Sequence, residues 1–381
     1  MVPFDFHPRT RVIFGRGSSD RTGHVARELG FVRPLLVADP GIVSAGHAAT
    51  IQRLLEAAGI TVVRFSEFGE NPDSDMVAAG ACFAAPHQVD SIVALGGGSS
   101  LDCAKGISFI LTNGGQMADY RGYGKAATPL LPMIGLPTTA GTGSEAQSYA
   151  VISDPTTHVK MACGDPSAAF RVAILDPALA ETAPRAVMAA AGIDAIAHAV
   201  ETAVTTKRTA WSDVLSHQAW HHLSEAFERL LLHPGDAEAG AMMMLGAHLA
   251  GVAIEQSMLG AAHACANPLT ARFGLGHGAA LGILLPHVIR WNAPNAVEGY
   301  TALLGSPRRR ARDVTAAETL ARRIEDFTRT AGLPNKLADT GVTADAIPEL
   351  AGLAAQQWTG TFNPRPFDAA GAIEIYERAL C

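Results

Sequence analysis

Asp90-Ser91-Ile92-Val93-Ala94-Leu95, running into Gly96-Gly97-Gly98-Ser99-Ser100-Leu101-Asp102-Cys103-Ala104-Lys105, decides the fold class. An apolar run of strand length ends in a glycine turn, and the residues after the turn suit a helix start. Such a turn exposes backbone N–H groups to an anion, and the helix dipole favours a phosphate there. Neither this turn nor Gly15-Arg16-Gly17 is a G-x-G-x-x-G pattern. Tight strand–helix packing uses glycine just as well, so the turn by itself marks a candidate and no more.

Outward from the turn, the first third of the chain alternates strand and helix. Residues 9–14 suit a strand, and 22–29 a helix closed by Gly30. Residues 34–39 form a continuous apolar run ending in Asp39. A helix over about 43–58 is stopped by Gly59, a strand covers 60–65, and a helix covers roughly 73–85. Strands separated by helices of this length imply βαβ units and a parallel sheet. Further on, Ile134-Gly135-Leu136-Pro137 leads into Thr138, Thr139, Gly141, Thr142, Gly143, Ser144 and Glu145. Hydroxyls in such a loop can bond a phosphate or ribose, although Ser144 could simply cap a helix. Residues 151–152, 159–161 and 172–175 read as further strands, with Lys160 facing either a ligand or solvent.

After Pro177 helical periodicity dominates, with candidates at 184–204, 210–232, 236–257, 258–270, 278–292, 314–331 and 343–357. The expected organisation is an α/β Rossmann-like domain over 1–180 followed by an all-α domain over 181–381. Asp39, at the end of its strand, could accept bonds from an adenosine ribose and would repel a 2′-phosphate, favouring NAD over NADP. A helix N-cap is its ordinary alternative.

The helical half carries a second set of candidates. Asp194 and His198 are four apart, which places them on one helix face. With His263 and His277 they would make a mixed N/O site for a divalent cation such as Fe²⁺ or Zn²⁺. A reaction between two bound molecules is expected in a cleft between the domains.

Composition sets bounds. The 381 residues are 48% apolar and 17% charged, which argues for large cores and against disorder. A net charge of −7 leaves no basic footprint for nucleic acid. Arg308-Arg309-Arg310 with Arg312 reads as a solvated turn. Five scattered cysteines with no C-x-x-C suggest a reduced protein. No signal peptide and no membrane-spanning run is apparent, so a soluble cytoplasmic protein is expected.

Taken together, several stretches resemble the iron-containing (group III) alcohol dehydrogenase family, close in pattern to its lactaldehyde reductase and propanediol dehydrogenase members. These are Gly96-Gly-Gly-Ser99-x-x-Asp102-x-x-Lys105, Pro137-Thr-Thr-Ala-Gly-Thr142-x-x-Glu145 and Gly192-x-Asp194-x-x-x-His198-x-x-Glu201. His263, His277-Gly278, Leu285-Pro-His287 and Asn363-Pro-Arg365 complete the set. The resemblance implies one divalent metal, usually Fe²⁺ and sometimes Zn²⁺, on Asp194, His198, His263 and His277. It implies NAD(P) along Gly97, Gly98, Ser99, Asp102, Thr138, Thr139, Thr142 and Ser144, with Asp39, Asn71 and Lys160 lining the same site. It implies a metal that polarises the substrate oxygen during hydride transfer, and a homodimer or larger assembly. The substrate would be a small primary alcohol, diol or aldehyde, in a pocket drawing on Tyr149, Val151, Ile254 and Phe362.

One departure stands out: Asn267 occupies a place where the family often has a second histidine. Asn can hydrogen-bond but cannot titrate. Three rival functions remain: a metal-free maleylacetate reductase, a dehydroquinate synthase, and a metal- and nucleotide-binding protein without turnover. The retained ligand set speaks against the first, and the missing basic array against the second.

Overall fold

The computed structural model describes residues 3–305 and 314–381; the arginine run at 308–312 lies outside them. Backbone contacts divide the chain into two units. One holds residues 7–183, and the other holds 184–381 together with the N-terminal stretch ending at Phe6. The N-terminal stretch was expected with the first unit. It goes with the helices because the Phe6 ring packs on Trp211 at 4.8 Å.

The first unit is built on a six-stranded sheet. In chain order its elements begin β1 (Arg11–Phe14), α1 (Thr22–Glu28), β2 (Pro34–Ala38), α2 (Pro40–Ser44), α3 (His47–Ala57), β3 (Val63–Phe65), α4 (Ser74–Ala84), β4 (Ser91–Gly96) and α5 (Gly98–Asn113). Then come β5 (Gly122–Tyr123), β6 (Met133–Pro137), β7 (Tyr149–Ser153), β8 (Lys160–Gly164), β9 (Val172–Leu175) and α6 (Pro177–Ala180). Sheet order is β1-β9-β6-β4-β2-β3, and every pair is parallel. Both faces are covered, and β2 and β4 are buried at every position. Leu35 and Val37 enter one core with Ile92 and Ala94. Leu36 and Ala38 enter the other with Val93 and Leu95. A smaller sheet, β5-β8-β7, pairs β7 and β8 antiparallel.

β2 leads to β3 on one side and has β4 on the other, so the topology switches between β2 and β4. Ligands of open parallel sheets sit at the carboxyl ends of strands at such a switch. Asp39 follows β2 and the glycine turn follows β4.

Two expectations of local structure are corrected. The helix expected over 43–58 is two helices, because Gly46 takes φ +83° between α2 and α3. The strand expected from 60 begins only at Val63: Ile60 N–H instead closes α3 on Leu55 O, and Thr61 N–H reaches Val32 O.

The second unit has no strand among its described residues. It contains α7 (Arg185–Thr202), α8 (Ala210–Leu232), α9 (Ala237–Gln256), α10 (Ala261–Phe273), α11 (His277–Leu303), α12 (Val314–Ala331), α13 (Ile347–Ala355) and α14 (Ala369–Leu380). α11 runs on past the expected end at 292 with Pro286 and Pro294 inside it, and α14 had no counterpart in the sequence expectations. α9 is long and apolar enough to cross a membrane by length and composition alone; here it packs against α7 and α8.

Candidate metal centre and nucleotide cradle

Asp194 and His198 lie one turn apart on α7, on a stretch whose residues from Gly192 to Thr202 are all buried. His263 sits in the first turn of α10, and His277 opens α11 after a three-residue link that leaves α10 through Gly274 at φ +63°. α11 approaches α7 closely enough that a Cβ on Gly278 would lie 2.1 Å from Ala190 O. Only glycine fits beside His277.

The side chains converge on one oxygen. Asp194 Oδ1 is 3.1 Å from His198 Nε2, 3.5 Å from His263 Nε2 and 3.8 Å from His277 Nε2. Ligand atoms of Asp194, His263 and His277 all lie within 4.8 Å of one another. The His198 and His263 rings stack at 4.8 Å. Asp194 Oδ1 and His263 Nε2 are shielded from solvent, yet neither makes a well-directed hydrogen bond. Buried polar atoms left this way need an explanation, and an ion is one.

The charges agree. Burial works against ionised Asp194, but the imidazoles of His198 and His263, and His277 beyond them, hold its carboxyl well below the usual range. Burial also pulls His263 down, but Glu201 and Asp194 outweigh it and lift the imidazole to about 9. A pocket that prefers an added positive charge suits a divalent cation, which would displace that proton. One carboxylate with imidazole nitrogens matches Fe²⁺ or Zn²⁺ chemistry.

Glu201 had no role in the sequence expectations beyond its place in the quoted pattern. It lies seven residues after Asp194, two turns along the same face of α7. Its Oε2 accepts from His263 Nδ1 at 2.5 Å, and its Oε1 accepts from Ala262 N at 2.7 Å. The same carboxylate therefore caps α10 and holds one His263 proton on Nδ1, which leaves Nε2 turned toward Asp194. Asn363 Oδ1 accepts from the neighbouring Ala261 N at 3.1 Å, completing the cap.

The cradle lies in the first unit. α5 begins at Gly98 with no side-chain cap on its N–H groups. Gly96 takes φ +146°, and a Cβ there would meet Ser100 Oγ at 2.3 Å. A Cβ on Gly98 would meet Thr142 Cγ2 at 2.6 Å, and one on Gly97 would meet Thr139 Oγ1 at 3.3 Å. The glycine turn and the hydroxyl loop are thus in contact, and Thr138 N–H bonds Gly96 O at 3.0 Å. An uncapped helix start beside glycines and threonines can take a phosphate.

The remaining expected residues fall in several places. Ser99 Oγ accepts from Asn71 N at 3.1 Å, which puts Asn71 at the cradle. Asp39 caps α2 through Ile42 N, and its second oxygen accepts from Ser100 Oγ at 2.8 Å. The capping role is thus realised, and the carboxylate keeps further lone pairs beside the turn. Asp102 and Ser144 face each other at 2.5 Å, and Asp102 also accepts from Val151 N. Lys160 opens β8, opposite Ser153.

The four expected pocket residues are split between the units. Tyr149 and Val151 are on β7, with the Tyr149 ring against Tyr123 at 5.3 Å. Ile254 is buried in α9, and the Phe362 ring packs on Trp358 and under Lys207. Asn267 Nδ2 donates to Gln357 Oε1 at 3.1 Å.

The chain is similar to known proteins over nearly its whole length. Residues 8–177 match the family model for iron-containing alcohol dehydrogenase, and residues 188–380 match the model for the C-terminal region of the Fe-containing alcohol dehydrogenase family. The chain is 31% identical to an NAD-dependent methanol dehydrogenase of Bacillus methanolicus, over 98% of this chain and 99% of the relative. It is 32% identical to a lactaldehyde reductase of Escherichia coli K12, over 96% and 97%. A crystal structure of a 1,3-propanediol oxidoreductase superposes with a TM-score of 0.94 at 31% identity, covering 100% of both chains. A sulfoacetaldehyde reductase from Bifidobacterium kashiwanohense in complex with NAD⁺ superposes at 0.88 with 26% identity, covering 100% of this chain and 99% of that one.

Proposed function

The chain belongs to the iron-containing alcohol dehydrogenase family, and from that premise we propose that it is a metal-dependent, NAD(H)-linked alcohol dehydrogenase or aldehyde reductase for a small primary alcohol, diol or aldehyde. The observation that carries the proposal is the convergence of His198, His263 and His277 on the buried Asp194 Oδ1. These four residues would hold the cation.

A divalent cation there supplies Lewis-acid polarisation of the substrate oxygen, and a bound nicotinamide supplies the hydride-exchanging carbon. The protein does the rest. Glu201 holds the proton of His263 on Nδ1 and so keeps Nε2 available. The start of α5 would receive a dinucleotide phosphate at Gly98 and Ser99, with Thr139 and Thr142 as the facing wall. Asp39, beside that turn, favours NAD over NADP by repelling a 2′-phosphate. Asn267 can hydrogen-bond but cannot take a proton, so it would not itself relay the alcohol proton. A cytoplasmic homodimer or larger assembly, without nucleic acid or membrane, belongs to the same proposal; light scattering of the purified chain measures its mass.

The test is a panel of alcohols with NAD⁺ and aldehydes with NADH, run with Fe²⁺ or Zn²⁺ added and again after chelation. Turnover that depends on added metal is expected. A panel with no turnover under either metal, or turnover indifferent to chelation, overturns the proposal.

A further inference from the structure

Lys105 is fully buried, and no role has been given to it above. Its ammonium donates to Tyr149 O at 2.7 Å, Ser144 O at 2.8 Å, Gln147 O at 2.9 Å and Ser144 Oγ at 3.0 Å. The Asp102 carboxylate, one turn back on α5, is 3.8 Å away. Taking an ammonium out of water is costly unless its hydrogen bonds are replaced, and here they are.

The acceptors come from one short run of chain. Ser144, Gln147 and Tyr149 are the end of the hydroxyl loop and the start of β7, and three of their carbonyls turn inward around one nitrogen. Asp102 fastens the same segment from the other side, accepting from Ser144 Oγ at 2.5 Å and Val151 N at 3.2 Å. Lys105 and Asp102 stand on the helix whose first turn is the phosphate cradle. Thr142, on the held loop, touches the position where a Gly98 Cβ would be. The two walls of the cradle are therefore fixed to each other by side chains in the first two turns of α5.

We propose that Lys105 is a positioning residue for the dinucleotide: it clamps the 138–149 loop to α5 and so sets the gap between the glycine turn and Thr139 and Thr142. The proposal rests on the NAD-linked function above. It predicts that losing the clamp opens the gap while leaving the imidazole cluster unaltered. Several charge-assisted bonds to main-chain carbonyls would be lost at once, and each is strong for a hydrogen bond.

The experiment uses full-length, metal-loaded Lys105→Met, with Ser144→Ala as a second variant that removes the hydroxyl's bonds to Lys105 and Asp102 and keeps the carbonyl bonds. NADH binding is read by fluorescence titration, and KM for NAD⁺, KM for the alcohol, kcat and metal content are measured alongside. In Lys105→Met the NADH Kd and the KM for NAD⁺ should rise at least about tenfold, as for loss of a bond worth about 1.4 kcal/mol. Metal content and KM for the alcohol should stay within about twofold of wild type. Ser144→Ala should show a smaller rise in the same two quantities. A folded Lys105→Met with unchanged NADH affinity overturns the proposal, as does a uniform loss of metal, alcohol and NADH binding. If Lys105→Met does not fold, Ser144→Ala with unchanged NADH affinity overturns it. A wild-type protein that binds no NADH refutes the NAD-linked function instead, so the two failures are distinguishable.

Discussion

Glu201 is the residue on which two jobs meet, since one carboxylate both caps α10 and fixes the tautomer of His263. Replacing it by glutamine keeps the volume and removes the charge that holds the Nδ1 proton. Outer partners of metal-bound histidines typically affect metal affinity about 10- to 100-fold. Glu201→Gln should weaken Fe²⁺ or Zn²⁺ binding by that order in a chelator competition, with the helical content unchanged; full affinity would show that His263 needs no carboxylate partner. Part of this was legible from sequence. Asp194 and His198 follow from a spacing of four, and spacing of seven puts Glu201 on the same stripe. What spacing could not give was the partner, because His263 lies 62 positions further on and meets Glu201 only when α10 docks on α7. Asp39 is the converse case: the sequence left a cap and a ribose contact open, and the cap is present.

At the scale of the element, α5 shows why glycine was ambiguous in the sequence. The turn serves close packing and an open helix start at once, because Gly97 and Gly98 clear space for Thr139 and Thr142 of the facing loop and Gly96 for Ser100 of α5 itself. Gly98→Ala puts a methyl group 2.6 Å from Thr142 Cγ2. The loop must then give way, and KM for NAD⁺ should rise about tenfold or more, the cost of roughly 1.4 kcal/mol or above. The metal content should not change. Steady-state kinetics with varied NAD⁺ decide it, and an unaltered KM would mean the cofactor does not pass this turn. Helices and strands with strong periodicity were readable, as β2, β4 and α7 illustrate. Breaks that depend on a single positive φ, such as Gly46, were not, because glycine inside an apolar pattern looks the same in a continuous helix. The end of α11 was also not readable: the helix accommodates Pro294 and runs on to Leu303.

At the scale of the molecule, the change from α/β to helical character was visible as a change of texture after Pro177, while the stretch ending at Phe6, whose ring packs on Trp211, goes with the helical unit. The acid stability of the helical unit should depend on His287 in α11. Burial, helped by the charges of Arg290 and Arg378 and opposed by Glu325, lowers its imidazole to about 4. Between pH 6.5 and 4 the unfolded chain binds this proton and the folded chain does not, so unfolding takes up a proton and stability falls as pH drops. The loss should approach about 3 kcal/mol at the acid end. His287→Gln should flatten that limb of a urea-midpoint series; an identical slope would assign the acid loss to other groups.

The central claim is that Asp194, His198, His263 and His277 hold one divalent cation on which alcohol oxidation depends. It is tested most directly by elemental analysis of wild type and Asp194→Ala after loading with Fe²⁺ and dialysis, with NAD⁺ reduction followed on the same samples. The account predicts about one metal per wild-type chain, and loss of both metal and activity in the variant, because removing one ligand opens the shell. An Asp194→Ala protein that keeps its metal and its turnover would contradict it.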